Sequence, residues 1–221
     1  MPSVEVRSSG GSVRPAQMII KRGMDIVFSC TVLIFLLIPF AIIALAIKLD
    51  DGGPVFFRQK RIGRGGVPFR VWKIRTMILH AERHALGVFT KGTDPRITPV
   101  GRVLRRLGVD ELPQLINVLA GQMSLVGPRP TVPQQVRRYT SHQRRRLDVK
   151  PGLTGWALIH GRNSLTWPEK IEFDVWYVEH QSLLIDLRVL LSTPWVVLSG
   201  RGLYLEKGDE ILSGTGDDEK G

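Results

Sequence analysis

One cysteine, Cys30, stands in 221 residues, so no intrachain disulfide is possible and a disulfide-held secreted scaffold is excluded. A reducing, cytosol-facing location fits that usage. No zinc-type spacing of Cys and His occurs and no repeat is visible, which removes zinc-finger modules and solenoids. Aromatic residues reach only 7% and form no stacking set of the kind that grips single-stranded nucleic acid. Acidic residues are scarce relative to basic ones, 20 against 31, for a net charge of +11. Such a surplus calls for a polyanionic partner: nucleic acid, an anionic membrane surface or phosphorylated substrates.

What the chain does have is one long apolar run. From Ile26 to Ile47 no residue is charged, enough helix at ~1.5 Å per residue to reach about 30 Å, the thickness of a hydrocarbon core. The run starts late and lacks a small-residue cleavage site, which argues against a signal peptide. Its length and uniformity argue against a buried core helix. Pro39 lies inside it, where it removes a backbone donor and should bend or break the helix. Both flanks are basic: Arg14, Lys21 and Arg22 before, then Lys48, Arg58, Lys60, Arg61 and Arg64 after. The positive-inside bias would hold both ends in the cytosol. A re-entrant helix over residues 18–50, turning at Pro39, satisfies both observations better than a straight span with a basic outer side.

The remainder divides into a disordered arm (residues 1–17), a cytosolic catalytic domain (51–201) and a C-terminal tail (202–221). Alternating apolar and basic residues around Gly63, Gly65 and Gly66 predict a hairpin within Pro54–Met77. A helix is expected around Met77–Leu86; His80 and His84 on it find no third ligand and read as a surface pair. Thr93–Thr98 reads as a turn into a helix at Val100–Leu107. A helix opened by Asp110 should bury Leu112, Leu115, Ile116 and Leu119 and end at Gly121. Further helices are predicted at Pro133–Asp148, at about Trp167–Glu179 and at Leu183–Leu198. The last is either interfacial, with Trp195 as anchor, or an ordinary core helix. The fold class is therefore α-dominated α+β: a monotopic membrane protein with a re-entrant helix, a short hairpin and a compact helical domain.

Chemistry concentrates at Asp110-Glu111. At a helix start Asp110 meets free N–H groups and the positive helix end, and Arg102, Arg105 and Arg106 upstream also favour its ionised form. Taken alone, such a residue is a helix cap or an oxygen nucleophile, and caps are common. The surroundings favour anion chemistry. Lys73 and Arg75 end the hairpin, Gly127-Pro128-Arg129-Pro130 is a stiff loop holding an arginine, and Gly161-Arg162-Asn163 offers another. Arg144-Arg145-Arg146, on a polar helix, reads as a solvated or headgroup-facing patch.

Four blocks, KIRTM from Lys73, the Asp110–Leu115 segment, NVLAGQMSLVGPRP from Asn117 and KPGLTGWALIHGRNSLTW from Lys150, resemble the bacterial sugar transferases, specifically the small monotopic phosphoglycosyl transferases. The resemblance spans roughly Lys21 to Leu198. It implies transfer of a hexose 1-phosphate from a UDP-sugar to a polyprenol phosphate such as undecaprenyl phosphate, releasing UMP, at the cytosolic face of a bacterial inner membrane. That step would initiate a lipid-linked glycan. It further implies that Asp110 is the nucleophile of a ping-pong reaction through an aspartyl phosphosugar, with Mg²⁺ as cofactor and Asp110 and Glu111 as its candidate ligands. Lys73, Arg105, Arg129 and Arg162 would hold phosphates, Pro128 would stiffen the binding loop, and Asp174 would assist with metal or substrate. Many relatives have Ser before the membrane-helix proline; here Ile38 stands there. Longer relatives carry a further membrane domain in front, so the chain is expected to be a minimal catalytic form. The competing reading is a membrane-tethered basic module for nucleic acid or anionic lipid. It leaves the paired acids and the Gly/Pro-framed arginines unexplained, so no nucleic-acid partner is expected.

Overall fold

The computed structural model describes residues 15–81 and 94–199. Two helices open it, α1 (Pro15–Phe35) and α2 (Leu37–Asp51), bent by 56° at the break between them. The predicted bend is real, but it falls at Leu36, three residues before Pro39. Pro39 has no N–H to give the Phe35 carbonyl and its ring crowds that carbonyl, so helix α1 stops there. In the first turn of α2 the missing donor costs nothing, because first-turn N–H groups have no helical partner anyway. No single helix among the described residues is long and apolar enough to cross a membrane; the bent pair passes that test together. Met18, Ile19, Phe28, Ile34, Phe35 and Ile38 are exposed along it.

The outer ends of this pair are fastened to one and the same domain. Lys21 Nζ bonds Asp186 at 2.6 Å and the Val126 carbonyl at 3.0 Å, and Arg22 takes the carbonyls of Val118 and Leu119. Asp25 accepts from the Ser124 hydroxyl and the Leu125 N–H. At the other end, Asp51 pairs with Arg75, while Ile47 packs with Ile74 and Leu104. Lys21 and Arg22, read from sequence as a membrane-flanking charge, are therefore committed to protein contacts. Helix α1 also begins at Pro15, inside the stretch expected to be a disordered arm.

The hairpin forms as predicted, β1 (Phe56–Ile62) antiparallel to β2 (Pro68–Ile74), with Phe57 opposite Lys73 and Arg61 opposite Phe69. Past it, Met77 bridges to Ile97 and a turn follows through His80. The expected helix at Met77–Leu86 is thus not helical from Met77 to His80, Ala81 is in a 3₁₀ turn, and the rest of it, with His84, lies outside the described residues.

Helix α3 (Pro99–Leu107) is capped by the Thr98 hydroxyl on Gly101 N–H, with Pro99 in its first turn and Gly108 left-handed at its end. A 3₁₀ segment, Val109–Gln114, leads into α4 (Leu115–Leu119). Leu115 and Val118 are fully buried here while Ile116 is exposed, so the predicted face is off at Ile116: the 3₁₀ turn shifts the phase of the helix it precedes. Strand β3 (Ser124–Val126) then pairs in parallel with β4 (Gly152–Thr154).

Between them the predicted Pro133–Asp148 helix is broken into α5 (Pro133–Arg137), α6 (Ser141–Arg144) and a 3₁₀ turn at Arg145–Leu147. Thr140 starts a new helix through a capping box with Gln143, which ends the previous one. After α7 (Trp156–Ile159) come α8 (Trp167–His180) and α9 (Leu183–Leu198), both where the sequence places them. The main core joins Val71, Leu115, Val118, Met123, Trp156 and Val189, with Val32 and Leu33 of α1 against it. Helix α9 buries Asp186 and Val189, while Leu184, Leu191, Trp195 and Leu198 form an exposed stripe at helical spacing.

Glycine at 101 has a steric cause. A Cβ there would lie 2.1 Å from the Thr76 carbonyl oxygen, so α3 sits directly on the strand exit that carries Thr76. Gly101→Ala is expected to destabilise the protein by about 1–3 kcal/mol in thermal unfolding, because neither backbone can yield.

Candidate active site

Four segments converge on the Asp110-Glu111 pair. Strand β2 brings Lys73, whose Nζ lies 2.7 Å from Glu111 Oε1. The loop after β3 brings Arg129, forked onto Glu111 at 2.5 and 3.0 Å. Close strand contact sets that loop: a Cβ on Gly127 would lie 2.4 Å from the Lys150 carbonyl oxygen, and the Pro128 carbonyl accepts from Gly152 N–H at 2.9 Å. The 3₁₀ turn after Gly161 brings Arg162, which has a positive φ of 55° and a buried Nη1 with no hydrogen-bond partner. Helix α3 brings Arg105, held by the Thr76 hydroxyl at 2.8 Å. Arg102 and Arg106 point to solvent.

The two acids have opposite surroundings. Glu111 is pushed up by burial, but Arg129 and Lys73 more than offset this and hold it well below the usual carboxylate range. The Asp110 side chain makes no hydrogen bond or ion pair among the described residues. Burial and then the Glu111 charge push it up to about 6, against the pull of Lys73, Arg105 and Arg129. This corrects the expectation that a helix N-terminus and upstream arginines set the balance at Asp110: burial shifts it toward the protonated form. The residue is no cap: it lies within a short 3₁₀ turn that has no side-chain cap, and desolvation wins.

Asp174 is brought to a different task. It is fully buried and bonds Arg146, whose guanidinium also reaches the Tyr139 hydroxyl at 2.6 Å and the Arg129 carbonyl at 3.0 Å. Asp174 thus meets the site through Arg146 and the backbone of Arg129, rather than standing beside Asp110. Arg146 itself, expected on a solvated patch, is 3% exposed; the helix break at Tyr139 turns it inward. Among the described residues no group of three acids, histidines or cysteines is placed to hold a metal. Glu111 has both oxygens engaged, and Asp110 offers the one unengaged carboxylate of the pair.

Sequence reading missed the clamp formed by Lys21, Asp25, Tyr177 and Asp186. In it Tyr177 Oη donates to Asp186 at 2.6 Å, and Lys21 reaches both groups. Its signal was one charge per turn (Lys21, Asp25) just before the apolar run. Arg61 was also read only as flanking charge; it lies on the face of β1 that carries the partner of Lys73.

A model of one protein family, bacterial sugar transferase, matches residues 16–200. The chain belongs to that family. It is 44% identical over 206 residues to the uncharacterized sugar transferase EpsL of Bacillus subtilis, covering 90% of this chain and 98% of that protein. It is 39% identical over 209 residues to the exopolysaccharide production protein ExoY of Sinorhizobium fredii, covering 88% and 92%. A third relative is the UDP-glucose:undecaprenyl-phosphate glucose-1-phosphate transferase of Escherichia coli, 41% identical over 194 residues. That match covers 84% of this chain and 42% of the relative. The converging blocks that carry the resemblance in the sequence are the same ones that build the site of this bacterial sugar transferase.

Proposed function

We propose that this chain transfers a hexose 1-phosphate from a UDP-sugar to undecaprenyl phosphate and releases UMP, initiating a lipid-linked glycan. The observation that carries the reading is Asp110: a buried carboxylate without a partner, set among cations, beside a glutamate that is fully engaged. A non-catalytic basic module has no use for a desolvated acid, and that alternative finds no support.

In this mechanism a carboxylate oxygen of Asp110 attacks the phosphorus that bears the sugar. The P–O bond to UMP breaks and an aspartyl phosphosugar forms. An oxygen of the polyprenol phosphate then attacks the same phosphorus and frees Asp110. Two anions would otherwise have to meet directly; two displacements divide that barrier. Burial serves the first step, because a desolvated carboxylate with a raised pKa is the stronger nucleophile and is still mostly ionised at neutral pH. Glu111 holds Lys73 and Arg129 in place without needing to move a proton. Arg105 and Arg162 face the same charge, and Asp174 positions Arg129 through Arg146.

The support for Mg²⁺ is the unengaged carboxylate of Asp110 beside the engaged Glu111: Asp110 would hold an ion carried mainly by substrate phosphate and water. Bound there, the ion would neutralise the diphosphate and the departing UMP.

We read the bent pair as re-entrant in a bacterial inner membrane, with the domain on the cytosolic face. The support is that both ends of the pair are fastened to the same domain, which a straight span would place on opposite sides. The exposed stripe of α9 suits the same interface. In a Cys30→Ser background, Ser12→Cys should stay unlabelled by impermeant thiol reagents in intact cells; labelling from outside would mean a straight span.

The activity is tested by mixing purified protein with UDP-sugars, undecaprenyl phosphate and Mg²⁺ and following UMP. No UMP with any UDP-sugar would contradict it. The pH dependence follows from Asp110. The ionised form attacks, so UMP release in a single turnover without acceptor should be flat above pH 7. It should fall about tenfold per pH unit below the Asp110 value near 6. An edge near pH 4 would mean the carboxylate is not desolvated during reaction.

A further inference from the structure

We infer that Arg61 is a phosphate-binding residue of this site, closing a seat for an anion together with Arg129 and Arg162. The inference rests on the proposed transfer between a diphosphate donor and a phosphate acceptor. Three geometric observations carry it.

First, register puts Phe57, Gln59 and Arg61 on one face of the hairpin, with Lys73, Val71 and Phe69 opposite them. Lys73 meets Glu111 and Val71 is buried in the core, so this is the face that looks into the domain. Arg61 is therefore aimed inward, unlike Arg58, Lys60 and Arg70, which are exposed on the other face. Second, the next residue, Ile62, donates its N–H to the Thr131 carbonyl at 2.9 Å. That bridge lays the end of β1 beside the loop bearing Arg129. Third, Arg162 keeps a buried Nη1 without a partner, a donor left for something not supplied by the protein.

The electrostatics agree. Arg61 is lowered to about 10, first by burial and then by repulsion from Arg129, with Glu111 pulling the other way. Arg162 is lowered by burial and by the same Arg129. Arg61 forms one side-chain hydrogen bond, to Gln59 at 2.6 Å, and no acid is paired with it. Glu111, the acid within reach of all three, is already forked by Arg129. Arg61 and Arg162, with no acid paired to either, are repelled by Arg129 until an anion enters, and forked N–H donors suit phosphate oxygens.

The seat takes phosphate oxygens, from either the donor diphosphate or the acceptor phosphate. The test measures UDP binding by calorimetry on the full chain, and KM for the turned-over UDP-sugar and for undecaprenyl phosphate, in wild type, Arg61→Lys, Arg61→Gln and Arg61→Met. For a donor seat, Arg61→Gln and Arg61→Met weaken UDP and raise the donor KM about ten- to hundredfold, while Arg61→Lys recovers part of the loss. For an acceptor seat, the acceptor KM rises and UDP binding holds. Unfolding temperatures close to wild type in Arg61→Lys and Arg61→Met keep the comparison free of misfolding. UDP affinity and both KM values unchanged in Arg61→Gln and Arg61→Met would overturn the inference alone; absence of turnover in wild type would overturn the activity reading.

Discussion

Asp110→Asn should lower UMP release by at least about a thousandfold and, at the same time, make the protein more stable. The loss follows from removing the attacking oxygen from a site whose other groups only position and neutralise; catalytic nucleophiles removed singly cost on this scale or more. The gain in stability follows from linkage. Asp110 goes from 3.8 to about 6 on folding, so the folded state holds its proton more tightly than the unfolded chain. That contribution favours folding in full below the unfolded value, and it is lost as pH rises through about 6. At pH 7.5 the ionised group therefore costs on the order of 3 kcal/mol. Asparagine has the same shape and no charge, and should recover about 1–3 kcal/mol of this. Thermal unfolding at pH 7.5 and at pH 5 separates the effects: the advantage of the variant should shrink at the lower pH. A helix cap predicts little change in stability, since asparagine caps about as well as aspartate.

Asp174→Ala should destabilise the protein by about 3–5 kcal/mol, because it strands the Arg146 charge in the core. Side chains of both partners are nearly inaccessible, at 2% for Arg146 and 3% for Asp174. Asp174 is pushed up to about 6 by burial even with Arg146 drawing it down, so the pair owes its place to geometry rather than to a large net gain. Replacing both, as in Arg146→Met with Asp174→Leu, should return most of the stability, since no buried charge remains. Activity should not return with it. The bond from Arg146 to the Arg129 carbonyl would be gone, and with it the fixed pose of the arginine that forks Glu111. Stability and rate parting in the double variant would identify the Arg146–Asp174 pair as positioning Arg129; a rate restored along with stability would leave the pair purely structural.

Local chemistry explains what the sequence made legible. The hairpin, α8 and α9 carry their own signals: a Gly turn, Thr166 with Glu169 as a capping box, and an apolar period ended by polar residues. The site blocks were legible because Gly and Pro fix backbone shape locally, as at Gly127-Pro128-Arg129. What failed was set by long-range packing. The Pro133–Asp148 pattern looked like one helix, yet a capping box at Thr140 was favoured once Arg146 had a buried acid to meet. The phase of α4 slipped because a 3₁₀ turn precedes it. The bend moved to Leu36 because a proline disrupts the turn before itself rather than its own position. The environment of Asp110 was misread for the same reason. Neighbours in sequence argued for an ionised carboxylate, whereas burial, set by how distant segments pack over the 3₁₀ turn, pushes it the other way, against Lys73 and Arg129, 37 and 19 positions away.

Asp110 is the proposed nucleophile, and intact-protein mass spectrometry reads that role on the residue itself. Wild type mixed with the productive UDP-sugar and Mg²⁺, without acceptor, and quenched in acid should gain the mass of one hexose phosphate. Fragmentation should place it on Asp110, and undecaprenyl phosphate added before the quench should discharge it. Asp110→Asn should gain nothing. Turnover with no such adduct under any quench time, or an adduct carried by Glu111, would contradict the account.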